Sequence, residues 1–74
     1  MSKLPSLRPR QVMNALRHAG FRFDHQTGSH AIYEKPGHPL IITVPMHNKD
    51  LKKGTLHSII KQTGLSAGEF IKLI

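Results

Sequence analysis

The chain has 74 residues, no cysteine, and eleven Lys and Arg against four Asp and Glu, a formal net charge of +7. That length allows one small domain burying only about 60% of the surface its unfolded chain exposes, which excludes a deeply buried active site, and the lack of cysteine excludes disulfide staples and thiolate metal sites. The charge favours a polyanionic partner, nucleic acid or an acidic protein, through steering and counterion release.

Residues 1–7, "MSKLPSL", read as a partly ordered arm and lack the apolar stretch of a signal peptide. No segment approaches the roughly 18 apolar residues of a membrane span. The expectation is a soluble cytoplasmic protein with no membrane association. "RPRQVMNALRHAGF" then carries helix marks. Pro9 suits a first helical position, Val12, Ala15, Leu16 and Ala19 form one apolar stripe, and Gly20 stops the run. The spacing predicts a helix from about residue 9 to 19.

"FRFDHQ" has Phe21 and Phe23 two apart, as a half-buried strand requires, and places His25 on their face. "TGS" breaks the alternation as a tight turn. "HAIYEK" is a second strand and "KPGHP" a second turn. "LIITVP" is a third strand, with Leu40, Ile42 and Val44 on one face, Ile41 and Thr43 on the other, and Pro45 ending it. Such short connections give an antiparallel meander.

Helical periodicity returns with Leu56, Ile59, Ile60 and Thr63, opened near Gly54-Thr55 and closed by Gly64. "SAGE", Ser66 to Glu69, is a capping-box pattern ahead of Phe70, Ile71 and Ile74. The order helix, three strands, helix, short final helix predicts a two-layer α+β domain spanning residues 1–74. Both main helices would cover one face of the sheet and leave the other to solvent or ligand. The α-β-β-β-α order is also that of the double-stranded-RNA-binding domain.

The chemistry must come from few groups. Four carboxylates, Asp24, Glu34, Asp50 and Glu69, are scattered along the chain, too few for a two-metal site, so neither a metal nor another cofactor is expected. Six histidines are many for this length, and four have ordinary readings. His18 compensates a helix dipole, His38 and His57 are solvated surface, and His25 is structural. His30 and His47 stand apart. His30 follows Gly28-Ser29, where the backbone can turn sharply and a ligand can come close. His47 follows the third strand, ahead of "DLKKGTL", in which Lys52 and Lys53 precede a helix N-terminus suited to an anion. Imidazole both takes and gives protons near neutrality. RNA carries its own nucleophile, so one histidine with nearby cations can cleave it without a metal.

Four segments in order and spacing resemble the HicA toxins of bacterial and archaeal toxin–antitoxin pairs: "AGFRF", the "GSH" of residues 28–30, "TVPMH" (43–47) and "LKKGTLHSIIKQTGLS" (51–66). The resemblance runs from about residue 7 to the end. It implies a double-stranded-RNA-binding-like fold, ribosome-independent mRNA cleavage and an acidic HicB-type antitoxin as partner. The family's catalytic histidine falls on His30 and the glycine before it on Gly28. The residue after that histidine is often a second histidine, and here it is Ala31. Arg8 stands where a Ser or Thr helix cap is common. The expected site is His30 as general acid or base, Gly28 and Ser29 shaping the turn, His47 assisting, and Lys52, Lys53 and Arg22 binding phosphate. The alternative is a non-catalytic RNA-binding module of the same fold, using Lys52 and Lys53 across a duplex groove. A third reading is a module that binds only an acidic protein.

Overall fold

A computed structural model describes residues 4–74, so residues 1–3 of the expected arm lie outside the described residues. The elements follow the order α1 (Pro9–His18), β1 (Arg22–Thr27), β2 (His30–Glu34), β3 (Ile42–Pro45), α2 (Lys53–Thr63) and α3 (Ala67–Ile71). The fold is α+β, with a helix, a three-stranded antiparallel sheet and two further helices, as the sequence predicts.

Each helix starts and stops for a local reason. Pro9 opens α1, and with Arg8 offering no side-chain cap, the Gln11 side-chain oxygen accepts from the Arg8 N–H at 2.9 Å. The stripe Val12, Ala15 and Leu16 is fully buried. Gly64 ends α2 at a φ of 82°, a left-handed conformation that suits a residue without Cβ. The capping box of α3 forms, with the Ser66 N–H donating to Glu69 at 2.9 Å and the Glu69 N–H to the Ser66 hydroxyl at 3.1 Å. Phe70, held by that cap, is buried, whereas Ile74 is exposed.

The sheet order is β1-β2-β3, with β2 central. Ala31 and Tyr33 of β2 pair with Val44 and Ile42 of β3. All four are buried in one cluster with Leu7, Phe21, Leu51, Phe70 and the apolar stripes of α1 and α2. The helices therefore cover a single face. Leu7, at the other end of the expected arm, is buried, and its carbonyl accepts from the Leu51 N–H at 2.8 Å.

Three local expectations are corrected. Phe21 is buried ahead of β1, but Phe23 is 54% exposed and only meets Tyr33 edge to face. The register slips by one residue between Phe23 and His25, so His25 leaves the face of Phe23 and pairs with Ile32 on the other side. Leu40 falls outside β3 and is exposed, because the strand's pairing begins at Ile42.

Candidate active site

The second face of the sheet carries no helix. Direct cross-strand partners share a face, so His30 and Ile32 of β2 lie with Thr27 and His25 of β1 and with Pro45 and Thr43 of β3. None of these six residues is buried, and His30 itself is exposed. The alternation that sends Ala31 into the hydrophobic layer aims His30 out of it.

His30 is set by the hairpin that precedes it. Thr27 pairs with His30, leaving Gly28 and Ser29 as a two-residue connection. Gly28 has a φ of 56° and Ser29 does not have a positive one, the arrangement of a type II′ hairpin with glycine first. Nothing lies within 4 Å of where a Gly28 Cβ would sit, so the glycine serves the backbone angle and the turn's outer side stays open. Two hydrogen bonds brace the turn: Gln26 Nε2 donates to the Gly28 carbonyl at 3.1 Å, and the Met46 N–H to the Ser29 carbonyl.

The Met46 bond also fixes what lies nearby. Pro45 pairs with His30 and Met46 reaches Ser29, so the chain delivers His47 to the same end of the sheet. His47 is exposed, and its Nδ1 accepts from the Lys49 N–H at 3.3 Å. Residues 46–52 join that end of the sheet to the start of α2. There Lys52 is the N-cap and Lys53 the first residue, both exposed, with no acidic residue in the first turn. Arg22 is separated from this group. It shares the open face but pairs with Glu34 at the opposite end of the β1–β2 ladder, about 13 Å from His30 at the usual rise per residue.

Two of the other histidines are engaged elsewhere. His18 Nδ1 lies 2.6 Å from the Leu73 carbonyl, tying α1 to the C-terminal end. His38 is half-buried rather than fully solvated. Its Nε2 meets the Gln62 carbonyl at 2.8 Å and its ring packs edge to face on Phe21. The sequence gives no sign of that docking, because the turn holding His38 is placed only by tertiary packing. His25 is the residue whose site potential is missed. Its Nδ1–H donates to the Asp24 carboxylate at 2.5 Å, both side chains being about half exposed. The available signal was the adjacency of Asp and His in a strand flanked by a turn.

Among the described residues, no group of three His, Asp or Glu side chains is arranged to hold a metal ion. Among them, too, no helix is long and apolar enough to cross a membrane. The clearest perturbed titrations are structural. Burial pushes the Tyr33 phenol up, against a smaller opposing effect of Arg17. Hydrogen bonds from the Ser66 backbone and hydroxyl hold the Glu69 carboxyl below its ordinary value.

An α-β-β-β-α domain with one packed and one open sheet face has the architecture of the double-stranded-RNA-binding fold. Residues 9–65 match the family described as the HicA toxin of bacterial toxin-antitoxin systems, and the chain belongs to that family. Membership makes it the toxin of a toxin–antitoxin pair, with an antitoxin as its partner. No curated protein matches the chain.

Proposed function

We propose that this toxin is a metal-independent endoribonuclease, an mRNA interferase, with His30 as a general acid or base. The substrate's own 2′-hydroxyl attacks the adjacent phosphorus, the P–O5′ bond breaks, and the products are a 2′,3′-cyclic phosphate and a 5′-hydroxyl. The observation that carries this reading is the position of His30, exposed on the open sheet face directly after a braced glycine turn. A shallow face suits a long polymer that lies across it.

Gly28 and Ser29 shape the approach to His30, and His47 assists from the same end of the sheet. Lys52 and Lys53, with the free N–H groups of α2, take a neighbouring phosphate. Arg22 takes one further along the strand direction. Residues 7–70 act as one unit, because Leu7 and Phe70, which flank the family match, belong to the same hydrophobic cluster. The setting is cytoplasmic, and the silencing partner is an acidic protein of the HicB type, attracted by the charge of +7.

The test is cleavage of RNA by purified protein, with and without chelator. His30→Ala should cut about 10²–10⁴-fold more slowly, the usual worth of general acid–base catalysis, with its unfolding temperature unchanged. Chelator should leave the rate alone, and the new ends should be cyclic phosphates. Full cleavage by His30→Ala would remove the assigned role. Salt-dependent RNA binding with no cutting would leave the non-catalytic RNA-binding module.

A further inference from the structure

Cleavage through a 2′-hydroxyl moves two protons, one off O2′ and one onto O5′. The attacking and leaving oxygens stand on opposite sides of the phosphorus, so one imidazole cannot serve both at once. The residue following His30 offers no second group, since Ala31 points into the hydrophobic layer. The partner must come from another strand or loop.

Three histidines are poorly placed for it. His18 and His38 spend a ring nitrogen on the backbone carbonyls of Leu73 and Gln62. His57 lies on the exposed side of α2, and α2 packs on the opposite face of the sheet. His25 is on the open face with His30. It sits two residues before Thr27, the direct partner of His30, and is therefore His30's diagonal neighbour across the hairpin. Diagonal residues on one face lie about 7–8 Å apart, with their Cβ atoms somewhat closer, which leaves room for a phosphate between two imidazoles. The register slip after Phe23 is what brings His25 there; uninterrupted alternation would turn it to the packed side. Its ring is also oriented. An ionised carboxylate only accepts, so Asp24 fixes the proton on Nδ1 and leaves Nε2 to exchange one with substrate.

We infer that His25, oriented by Asp24, is the second proton-transfer group of RNA cleavage, acting opposite His30 on the same phosphodiester. The inference rests on the ribonuclease reading above. One imidazole takes the 2′-hydroxyl proton as the O2′–P bond forms. The other, as imidazolium, gives a proton to O5′ as the P–O5′ bond breaks. No net proton is consumed, and the two rings return to their starting states by exchange with water.

A sulfur-substituted substrate separates the roles, because a thiolate leaves without needing a proton. An RNA that the wild-type toxin cuts would be prepared with oxygen or sulfur at the bridging 5′ position of the scissile linkage. His25→Ala and His30→Ala should each cut the oxygen linkage about 10²–10⁴-fold more slowly. Sulfur should restore one of the two variants and not the other. Asp24→Asn, a change at a positioning residue, should show a smaller loss and the same sulfur response as His25→Ala. His25 is exposed, so thermal unfolding should be unchanged, and His25→Gln provides a second variant of similar bulk. Near wild-type cutting by His25→Ala would overturn the inference. So would sulfur treating the two variants alike, or a sulfur rescue that belongs to His47→Ala. If His30→Ala is inactive while His25→Ala cuts normally, only this inference fails. If the wild-type protein leaves all RNA intact, the ribonuclease reading fails with it.

Discussion

Along β2 the side chains divide between two environments. Ala31 and Tyr33 are closed into the hydrophobic layer, whereas His30, Ile32 and Glu34 face away from it and His30 and Glu34 are exposed. The two faces are one residue apart in sequence and differ in what they can contribute. The packed face carries the apolar burial that holds so small a domain together. The open face contributes little to stability and so can hold exposed imidazoles at small cost. Within these 74 residues, strand alternation does the partitioning.

The strongest way to break this division is from the packed side. Phe70 is fully buried among residues of both sheet and helices, and Phe70→Ala should cost about 3–5 kcal/mol, a large share of the stability of such a domain. Thermal or urea unfolding checks it. A loss below about 1 kcal/mol would mean that α3 is not part of the core. On the open side, Thr43→Ala should change stability by no more than about 0.5 kcal/mol.

A sharper case is Gly28, where the division meets the turn. No atom lies within 4 Å of an added Cβ, so Gly28→Ala meets no clash and is opposed only by its backbone angle of 56°. The expected loss is about 1–3 kcal/mol, read by unfolding. If stability is unchanged but RNA cleavage falls, the turn is being used as a surface for substrate rather than as a hinge for the hairpin.

The sequence carries most of this architecture because its signals are local. Pro9, Gly20, Gly64 and the Ser66–Glu69 box mark helix ends through backbone chemistry that needs no tertiary partner. The exposure of His30 was equally legible, since it follows from a turn and from alternation with Ala31. What is not local was missed. The slip between Phe23 and His25 depends on how β1 meets β2, and alternation alone assigns His25 to the wrong face. His38 reads as solvated because its partners, Phe21 and Gln62, are distant in sequence. Arg22 is near the site in composition but at the far end of the ladder in space.

A pH-dependent effect carries the comparison into α3, where Glu69 is exposed and its neighbour Phe70 is buried. The Glu69 carboxyl is held below its ordinary value by the Ser66 backbone N–H and hydroxyl, so the folded state favours the charged form. A carboxyl with a depressed folded value stabilises the fold above its unfolded value and loses that contribution as the pH falls through the folded one. Wild-type stability should therefore decline on acidification through and below the ordinary glutamate range. Glu69→Gln keeps an acceptor for the Ser66 N–H but cannot titrate. It should be less stable than wild type at neutral pH and converge with it in acid, as measured by unfolding at several pH values. Ser66→Ala removes the hydroxyl half of the same cap and should cost about 1 kcal/mol at neutral pH. Neither change touches the open sheet face, so RNA cleavage under conditions where the variants remain folded should match wild type. A drop in cleavage without a drop in stability would show that the two faces are coupled after all, through α3.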